Sequence, residues 1–162
     1  MLTDLTTFHD YADSEELGKT AASLEGGILG KKAGRDLFVP PIQAESTRPS
    51  YLADPGAQHV PGAPVICTEF GGVNIKAATK GKGDKDWGYT TASDPSDLLE
   101  RIEKLMMGLV RGGHVCGFVY TQLADIEQEV NGLLTFDRKF KLDAAKLADV
   151  VKRVEQVYYQ SL

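Results

Sequence analysis

The sequence predicts an α/β fold built on a parallel sheet, because strand-like and helix-like segments alternate along the chain. Three segments have the pattern of strands: residues 2–8, 65–68 and 115–120. Each is followed by a segment whose apolar residues recur at helical spacing. Since repeated strand–helix units place their strands parallel, we expect the three strands to lie in one sheet.

The first strand, Leu2–Phe8, alternates apolar residues with threonines and leads directly into His9 and the residues after it. A helix is predicted over Ser14–Leu24, because three apolar residues share one of its faces: Leu17, Ala21 and Leu24. The stretch from Gly26 to Pro64 is rich in glycine and proline, so it is predicted to be a long irregular connection. Loops of this length are usually functional or disordered.

The second strand, Val65–Thr68, is a short apolar run that ends at a carboxylate, Glu69. Such continuous apolar runs are typical of strands buried in a parallel sheet. A long loop from Gly71 to Trp87 follows, with a segment of lysines and glycines at its centre. That segment lacks the residue spacing of a phosphate-binding loop and is predicted to be an exposed turn.

The second helix is predicted to begin at Asp94 and Pro95, since aspartate caps helices well and proline fits the first turn. The glycines at 112 and 113 are predicted to end it. The third strand is Val115–Tyr120, and Leu133–Phe136 is predicted as a short extra strand. The last helix is predicted from Asp143, with five residues facing inward: Leu147, Val150, Val151, Val154 and Val157.

Composition is that of an ordinary globular domain, with 162 residues, 42% hydrophobic and 25% charged. The net charge of −5 and the absence of a long basic run argue against a nucleic-acid partner. No apolar run reaches about 18 residues, so we expect no membrane-spanning helix and no membrane partner. No signal peptide is visible; the location is left open, with the cytoplasm favoured.

Three motifs support a more specific interpretation: Thr68-Glu69-Phe-Gly-Gly72, Trp87-Gly-Tyr89, and the block Gly117-Phe-Val-Tyr-Thr-Gln-Leu-Ala-Asp-Ile-Glu-Gln-Glu-Val-Asn-Gly-Leu133. Together they resemble glycoside hydrolase family 2, the β-galactosidase and β-glucuronidase family. The long block is the most specific of the three. The resemblance covers residues 1–162 and implies a partial (β/α)8 TIM barrel, about the last three βα units, as the C-terminal portion of a glycoside hydrolase catalytic barrel.

The resemblance also implies a reaction, the retaining hydrolysis of β-linked sugars, with Glu69 as the catalytic nucleophile. Enzymes of this kind use two carboxylates about 5–5.5 Å apart and require no metal or organic cofactor. An aromatic or histidine pair is expected at the end of the preceding strand, and His9 and Tyr11 match it. Tyr11 is expected to donate a hydrogen bond to Glu69, which would keep that carboxylate ionised and oriented.

The second carboxylate of the family, the general acid/base, belongs to an Asn-Glu pair, and this chain contains no such dipeptide. We therefore expect a fragment that carries the nucleophile, lacks the acid/base, and is inactive without the remainder of the barrel or a partner chain. The alternative is a non-catalytic sugar-binding or assembly module. A small nucleotide-binding domain is disfavoured, because no glycine-rich phosphate fingerprint is present.

Substrate contacts are expected from five residues: His9, Tyr11, Trp87, Gln122 and Asp125. Trp87 is the only tryptophan, and it either offers an aromatic platform to a sugar ring or packs its loop onto the sheet. Many family members carry a tryptophan at the end of the last strand, where this chain has Tyr120-Thr-Gln122. The acidic residues from Asp125 onward resemble a calcium loop only in part, since the positions for its glycine and its final glutamate hold Val130 and Phe136.

Overall fold

A three-stranded parallel sheet forms the centre of the protein in a computed structural model that describes residues 4–32, 35–36, 59–75 and 86–161. The strands are β1 (Thr6–Asp10), β2 (Lys31–Lys32), β3 (Arg35–Asp36), β4 (Val65–Gly71), β5 (Val73–Ile75), β6 (Thr90–Ala92) and β7 (Val115–Thr121). The helices are α1 (Ser14–Ala21), α2 (Pro95–Arg111) and α3 (Ala144–Ser161), with a π-helical turn at Leu24–Ile28 after α1.

The central sheet has the strand order β1-β4-β7, and all its strands run in the same direction. Asp10 of β1 lies opposite Phe70 of β4, which lies opposite Tyr120 of β7. The carboxyl ends of the three strands therefore meet at one edge, as the alternation of strands and helices predicted. Two small sheets accompany it: β2 pairs with β3 antiparallel, and β5 pairs with β6 parallel.

The core lies between this sheet and the helices, with α2 in contact with both α1 and α3. Fully buried side chains from strands and helices fill it, among them Leu17, Cys67, Phe70, Leu98, Ile102, Leu109, Val115 and Val150. Gly18 of α1 and Gly108 of α2 face each other so closely that a Cβ on Gly108 would lie 3.3 Å from the Gly18 Cα. None of the helices in the described ranges combines the length and apolar character needed to cross a membrane.

The opposite face of the sheet is more accessible among the residues that the structure describes, most clearly on β1. Along β1, Thr6, Phe8 and Asp10 are buried, whereas Thr7 and His9 are exposed. In a barrel this face would look inward, but the described strands form no barrel. The partial (β/α)8 barrel therefore stays a prediction, while the α/β class and the parallel sheet are found.

Several details of the sequence-based prediction are corrected by the structure. Strand β1 includes His9, which was predicted to follow it, and helix α1 ends at Ala21, before the predicted Leu24. The predicted irregular connection from Gly26 to Pro64 contains the short strands β2 and β3, and most of the rest of it lies outside the described residues.

Leu133–Phe136 is no strand: only Leu134 makes isolated bridges, to Ala124 and to Phe140. A turn closed by the Thr135 N–H bond to the Lys139 carbonyl ends the pairing there. Val151 is exposed, because α3 packs through Val150 and Val154 instead. The loop expected after Gly71 contains β5, and β4 continues beyond Thr68 through Glu69 to Gly71.

Helix α2 begins as its sequence predicts. The Asp94 side chain accepts hydrogen bonds from the N–H groups of Ser96 and Asp97, at 2.8 and 3.0 Å. Pro95 occupies the first turn, and Gly112 caps the other end. Two of the backbone donors that an α-helix leaves unpaired at its start are thus satisfied by one carboxylate.

Replacing Asp94 with Asn should make the stability of the fold less sensitive to acid. Hydrogen bonds, first from the Asp97 N–H and then from the Ser93 hydroxyl, hold the pKa of Asp94 below its ordinary value of 3.8. Because this pKa is depressed in the folded state, the charged cap stabilises the fold above about pH 4 and loses that effect as the pH falls further. Asparagine keeps the capping acceptor but does not titrate.

Thermal unfolding measured from neutral pH to about pH 2 checks this prediction. The difference in Tm between the wild type and Asp94→Asn should shrink as the pH falls below the unfolded-state pKa of about 4. Asp149→Asn is a matched control on α3, where an exposed carboxylate makes a 3.5 Å surface contact with Lys152. If the Tm difference between the wild type and Asp94→Asn stays constant from neutral pH to about pH 2, the charge of Asp94 does not stabilise the start of α2.

Candidate active site

Glu69 lies near the carboxyl end of the central strand, and 44% of its side chain is exposed. The next residue, Phe70, is fully buried and contacts the rings of Phe118 and Tyr120 edge-on, at centroid distances of 5.4 and 5.5 Å. Because successive side chains of a strand point to opposite faces, anchoring Phe70 in the core directs Glu69 away from it. The carboxylate is thereby held at the accessible edge of the sheet.

Two residues from the end of β1 contact this carboxylate. The Tyr11 hydroxyl donates a hydrogen bond to Glu69 Oε2 at 2.7 Å. His9 Nδ1 lies 3.3 Å from the same oxygen, and His9 is paired with Glu69 in the register of the two strands. The predicted proximity of His9 and Tyr11 to Glu69 is therefore confirmed, including the Tyr11 hydrogen bond, while the catalytic roles of these residues stay predictions.

The Tyr11 hydroxyl also connects the third strand to this cluster. Burial is the main factor that raises the pKa of Tyr11 to about 12. A hydrogen bond with the side chain of Thr121, at the end of β7, lowers this pKa. Glu69 raises it through its own hydrogen bond and its charge. Tyr11 is consequently neutral and able to donate at physiological pH. Donation of this kind favours a carboxylate acceptor over a protonated one.

The glycine pair after Glu69 makes room for aromatic side chains. Gly71 and Gly72 have φ angles of 98° and 62°, a region that side chains rarely tolerate. A Cβ on Gly71 would lie 2.4 Å from the Tyr120 ring, and one on Gly72 would lie 2.4 Å from the Tyr89 ring. Glycine is needed at both positions because protein rings already occupy the adjacent space.

Trp87 lies beside this cluster, with its side chain partly exposed at 45%. Its backbone N–H donates to the Gln128 carbonyl at 2.9 Å, and its carbonyl accepts from the Val130 N–H at 3.1 Å. The backbone therefore attaches this segment to the loop after β7. Its ring packs edge-on against Tyr89, with centroids 5.7 Å apart, and keeps an accessible surface. Trp87 can therefore both pack its segment against the protein and offer an accessible ring face to a sugar.

Gln122 and Asp125, the other two candidates, occupy the loop that follows β7. The Gln122 Nε2 atom is buried and has no hydrogen-bond partner in the part of the chain that the structure describes. Asp125 is buried, and its Oδ1 accepts hydrogen bonds from the Lys141 ammonium at 2.6 Å and the Gly132 N–H at 2.9 Å. Asp125 therefore organises this loop, and within the described ranges its hydrogen bonds do not reach the Glu69 cluster.

Two residues that were part of the quoted motifs but were not predicted as site residues complete the cluster. Tyr89 stacks on Tyr11, with ring centroids 3.7 Å apart and planes within 7°. Thr121 hydrogen-bonds the Tyr11 side chain. Tyr89 follows Trp87 by two residues, a spacing that places side chains on one face of an extended segment, and this was the available indication. Nothing in the local pattern around Thr121 indicated its contact.

Within the described ranges, no group of three or more His, Cys, Asp and Glu side chains is arranged to hold a metal ion. The cluster offers a partly exposed carboxylate with the Tyr11 donor and the nearby His9 ring on one oxygen. Such a group can act as a nucleophile, as a base, or as an anchor for a sugar hydroxyl. Its place at the carboxyl edge of a parallel sheet is where α/β barrels hold their reactive groups.

Comparison with known proteins identifies no family. No protein-family model matches the chain, and no curated protein matches it either. The function is therefore inferred from the residues and the geometry around Glu69.

Proposed function

We propose that this chain carries the nucleophile side of a retaining β-glycosidase site similar to that of glycoside hydrolase family 2. The observation that supports this most is the placement of Glu69 at the end of β4, with Tyr11 at 2.7 Å and His9 at 3.3 Å from one oxygen. A nucleophilic carboxylate must be ionised, oriented and accessible at once. The Tyr11 hydrogen bond orients the Glu69 carboxylate, and a 44% exposed side chain leaves it accessible.

The two contacts leave one carboxylate oxygen for chemistry. Both Tyr11 and His9 reach Oε2, so Oε1 takes part in neither contact. In the proposed reaction a Glu69 oxygen attacks the anomeric carbon while the bond to the leaving-group oxygen breaks. That oxygen takes a proton from a carboxylic acid, and the resulting carboxylate later activates the water that cleaves the glycosyl-enzyme ester.

The acid in this scheme is proposed to come from outside the chain. The sequence has no Asn-Glu pair. Among the described residues, β1 and β7 each pair with β4 alone, so both edges of the sheet are open. Further parallel strands at these edges, from the remainder of a barrel or from a partner chain, would extend the row of strand ends on which Glu69 lies.

The alternative proposal is a sugar-binding or assembly module without catalysis. The observation that favours it is the exposed aromatic pair of Trp87 and Tyr89, exposed by 45% and 50%. Aromatic rings with an accessible face can pack against the apolar face of a sugar, and this needs no proton donor. The two proposals differ in whether Glu69 forms a covalent bond.

Covalent labelling of the purified chain distinguishes them. A 2-deoxy-2-fluoro-β-galactoside and the matching glucuronide, each with a dinitrophenyl leaving group, need little help from an acid. We expect a mass increase of one sugar, mapped to Glu69 and absent from Glu69→Gln. Glu155→Gln, which removes an exposed carboxylate on α3, is the control and should label normally. Sugar binding by the folded chain without any adduct would support the alternative.

The isolated chain should not hydrolyse unactivated disaccharides. Loss of an acid/base group alone lowers the rate by ~10²–10⁴-fold, and an ordinary sugar leaving group depends strongly on protonation. Open edges at β1 and β7 should also cause the chain to associate. Disaccharide assays combined with light scattering measure both properties. A compact monomer that hydrolyses lactose-like disaccharides would contradict the proposal, because the proton donor would then lie within these 162 residues.

A further inference from the structure

Tyr89 is connected to Glu69 through Tyr11, on which its ring stacks. Its ring lies parallel to that of Tyr11, with centroids 3.7 Å apart and an interplanar angle of 7°. Tyr11 in turn donates its hydroxyl to Glu69 Oε2. A tyrosine at a strand end has several rotamers available, and only a ring held in one of them keeps its hydroxyl on a given acceptor.

The backbone around Tyr89 holds the stack in place. The Tyr89 N–H donates to the Gly72 carbonyl at 2.9 Å, and the next residue begins β6, which pairs with β5. Gly72 lies under both rings: a Cβ there would be 2.4 Å from Tyr89 Cδ2 and 3.1 Å from Tyr11 Cδ1. The Trp87 ring packs edge-on against Tyr89 at 5.7 Å. Tyr89 is thus fixed by the backbone at the start of β6, and the Tyr11 ring packs against it.

We infer that Tyr89 is a positioning residue, which fixes the Tyr11 ring so that its hydroxyl stays on Glu69. The catalytic meaning of this inference rests on the proposed function, whereas the effect of Tyr89 on Tyr11 does not. Tyr89 would then influence the reaction without contact between its own hydroxyl and the carboxylate. Besides burial, three described residues shift the pKa of the Tyr11 hydroxyl: Thr121 and Glu69 through hydrogen bonds, and Tyr89 through its charge.

The first test follows the ionisation of Tyr11 and requires no activity. With ¹³Cζ-labelled tyrosine, the Tyr11 resonance is assigned through Tyr11→Phe and its charge is followed up to about pH 11. Burial holds the pKa of Tyr11 at about 12 in the wild type, so about a tenth should be ionised at that pH. In Tyr89→Ala the ring is exposed to water and its pKa should fall, so that more than about half is ionised.

Controls separate this effect from a general loss of structure. Tyr89→Phe keeps the stacked ring and removes only the charge of the Tyr89 hydroxyl, the smallest of the causes that raise the pKa of Tyr11, so Tyr11 should stay nearly as protonated as in the wild type. Tyr159→Ala removes a 65% exposed tyrosine from α3 and should not affect Tyr11. Circular dichroism at the same pH shows whether each variant is folded. Should Tyr89→Ala unfold, Tyr89→Leu keeps bulk at the position while removing the aromatic stack.

The second test measures the rate at which the fluorosugar labels Glu69. Tyr89→Ala should label about tenfold more slowly, and Tyr89→Phe should restore most of the rate. If Tyr89 acts through Tyr11, Tyr11→Phe combined with Tyr89→Ala should be no slower than Tyr11→Phe alone. Additive losses in the double variant would overturn the inference, because Tyr89 would then act by another route.

Failure of the inference and failure of the proposed function are distinguishable. A folded Tyr89→Ala or Tyr89→Leu variant whose Tyr11 ionises as in the wild type overturns the positioning role, whatever the labelling shows. A wild-type chain that never labels overturns the proposed function. The Tyr11 titration still decides whether Tyr89 positions the ring.

Discussion

Replacing Glu69 with Gln, in an assembly that completes the proposed barrel, should remove nearly all of the proposed glycosidase turnover. Glutamine has the same shape and can still accept the Tyr11 hydrogen bond, but it lacks the charge that attacks the anomeric carbon. Loss of a covalent nucleophile should cost several kcal/mol of transition-state stabilisation, or ~10³-fold or more in rate. The values of kcat/KM on aryl β-galactosides and β-glucuronides measure the loss.

Stereochemistry provides a control that a merely structural defect would not reproduce. In Glu69→Gly, added azide can enter the vacated space and attack the anomeric carbon in a single displacement. The product would be an α-glycosyl azide, since one displacement inverts the configuration that two displacements retain. Glu155→Gln should behave as the wild type. If Glu69→Gln keeps more than about a tenth of the rate, Glu69 is not the nucleophile.

The fold could be predicted largely because its elements are determined by local patterns. The Asp94 cap, Pro95 in the first turn and Gly112 at the end of α2 are all local features, and the structure contains each of them. The parallel sheet followed from the order of strands and helices. Leu133–Phe136 was predicted wrongly, because an Asn-Gly pair indicates a turn but not whether its neighbours find a partner strand.

The site was predictable only as far as strand ends determine it. Tyr11 and Glu69 could be placed together because parallel strands end at one edge. The stack of Tyr89 on Tyr11 depends on the pairing of β5 with β6, two short strands separated by a long stretch of chain, and local patterns do not reveal such pairing. For the same reason, the sequence did not predict why glycine is needed at position 72, since the rings that fill the space beside it belong to residues distant in sequence, Tyr11 and Tyr89.

The loop after β7 is organised by a buried ion pair. The Lys141 ammonium lies 2.6 Å from Asp125 Oδ1, and each side chain is only 11% exposed. Lys141 also donates to the Val130 carbonyl at 2.7 Å, while Asp125 accepts from the Gly132 N–H. Removing one partner of such a pair leaves a charge with little access to water, and this is far more costly than losing a surface ion pair.

Replacing Lys141 with Met should therefore lower the free energy of unfolding by about 3–5 kcal/mol, because Asp125 would remain buried without a countercharge. Urea unfolding measures this change. Lys139→Met is the matched control: it removes a lysine that is 78% exposed and should change stability little. Adding Asp125→Asn to Lys141→Met should restore part of the loss, since it removes the unpaired charge.

The same substitution should be visible at the candidate site. The backbone of Trp87 is hydrogen-bonded to Gln128 and Val130, both in the loop that Lys141 and Asp125 organise. Trp87, the only tryptophan, is already 45% exposed, and loosening this loop should expose it further and shift its emission to longer wavelength below the unfolding transition. If Lys141→Met is as stable as Lys139→Met and its emission maximum is unchanged, the ion pair of Lys141 and Asp125 is not needed to hold the loop. The loop would then be held by its backbone hydrogen bonds and by the buried side chain of Asn131.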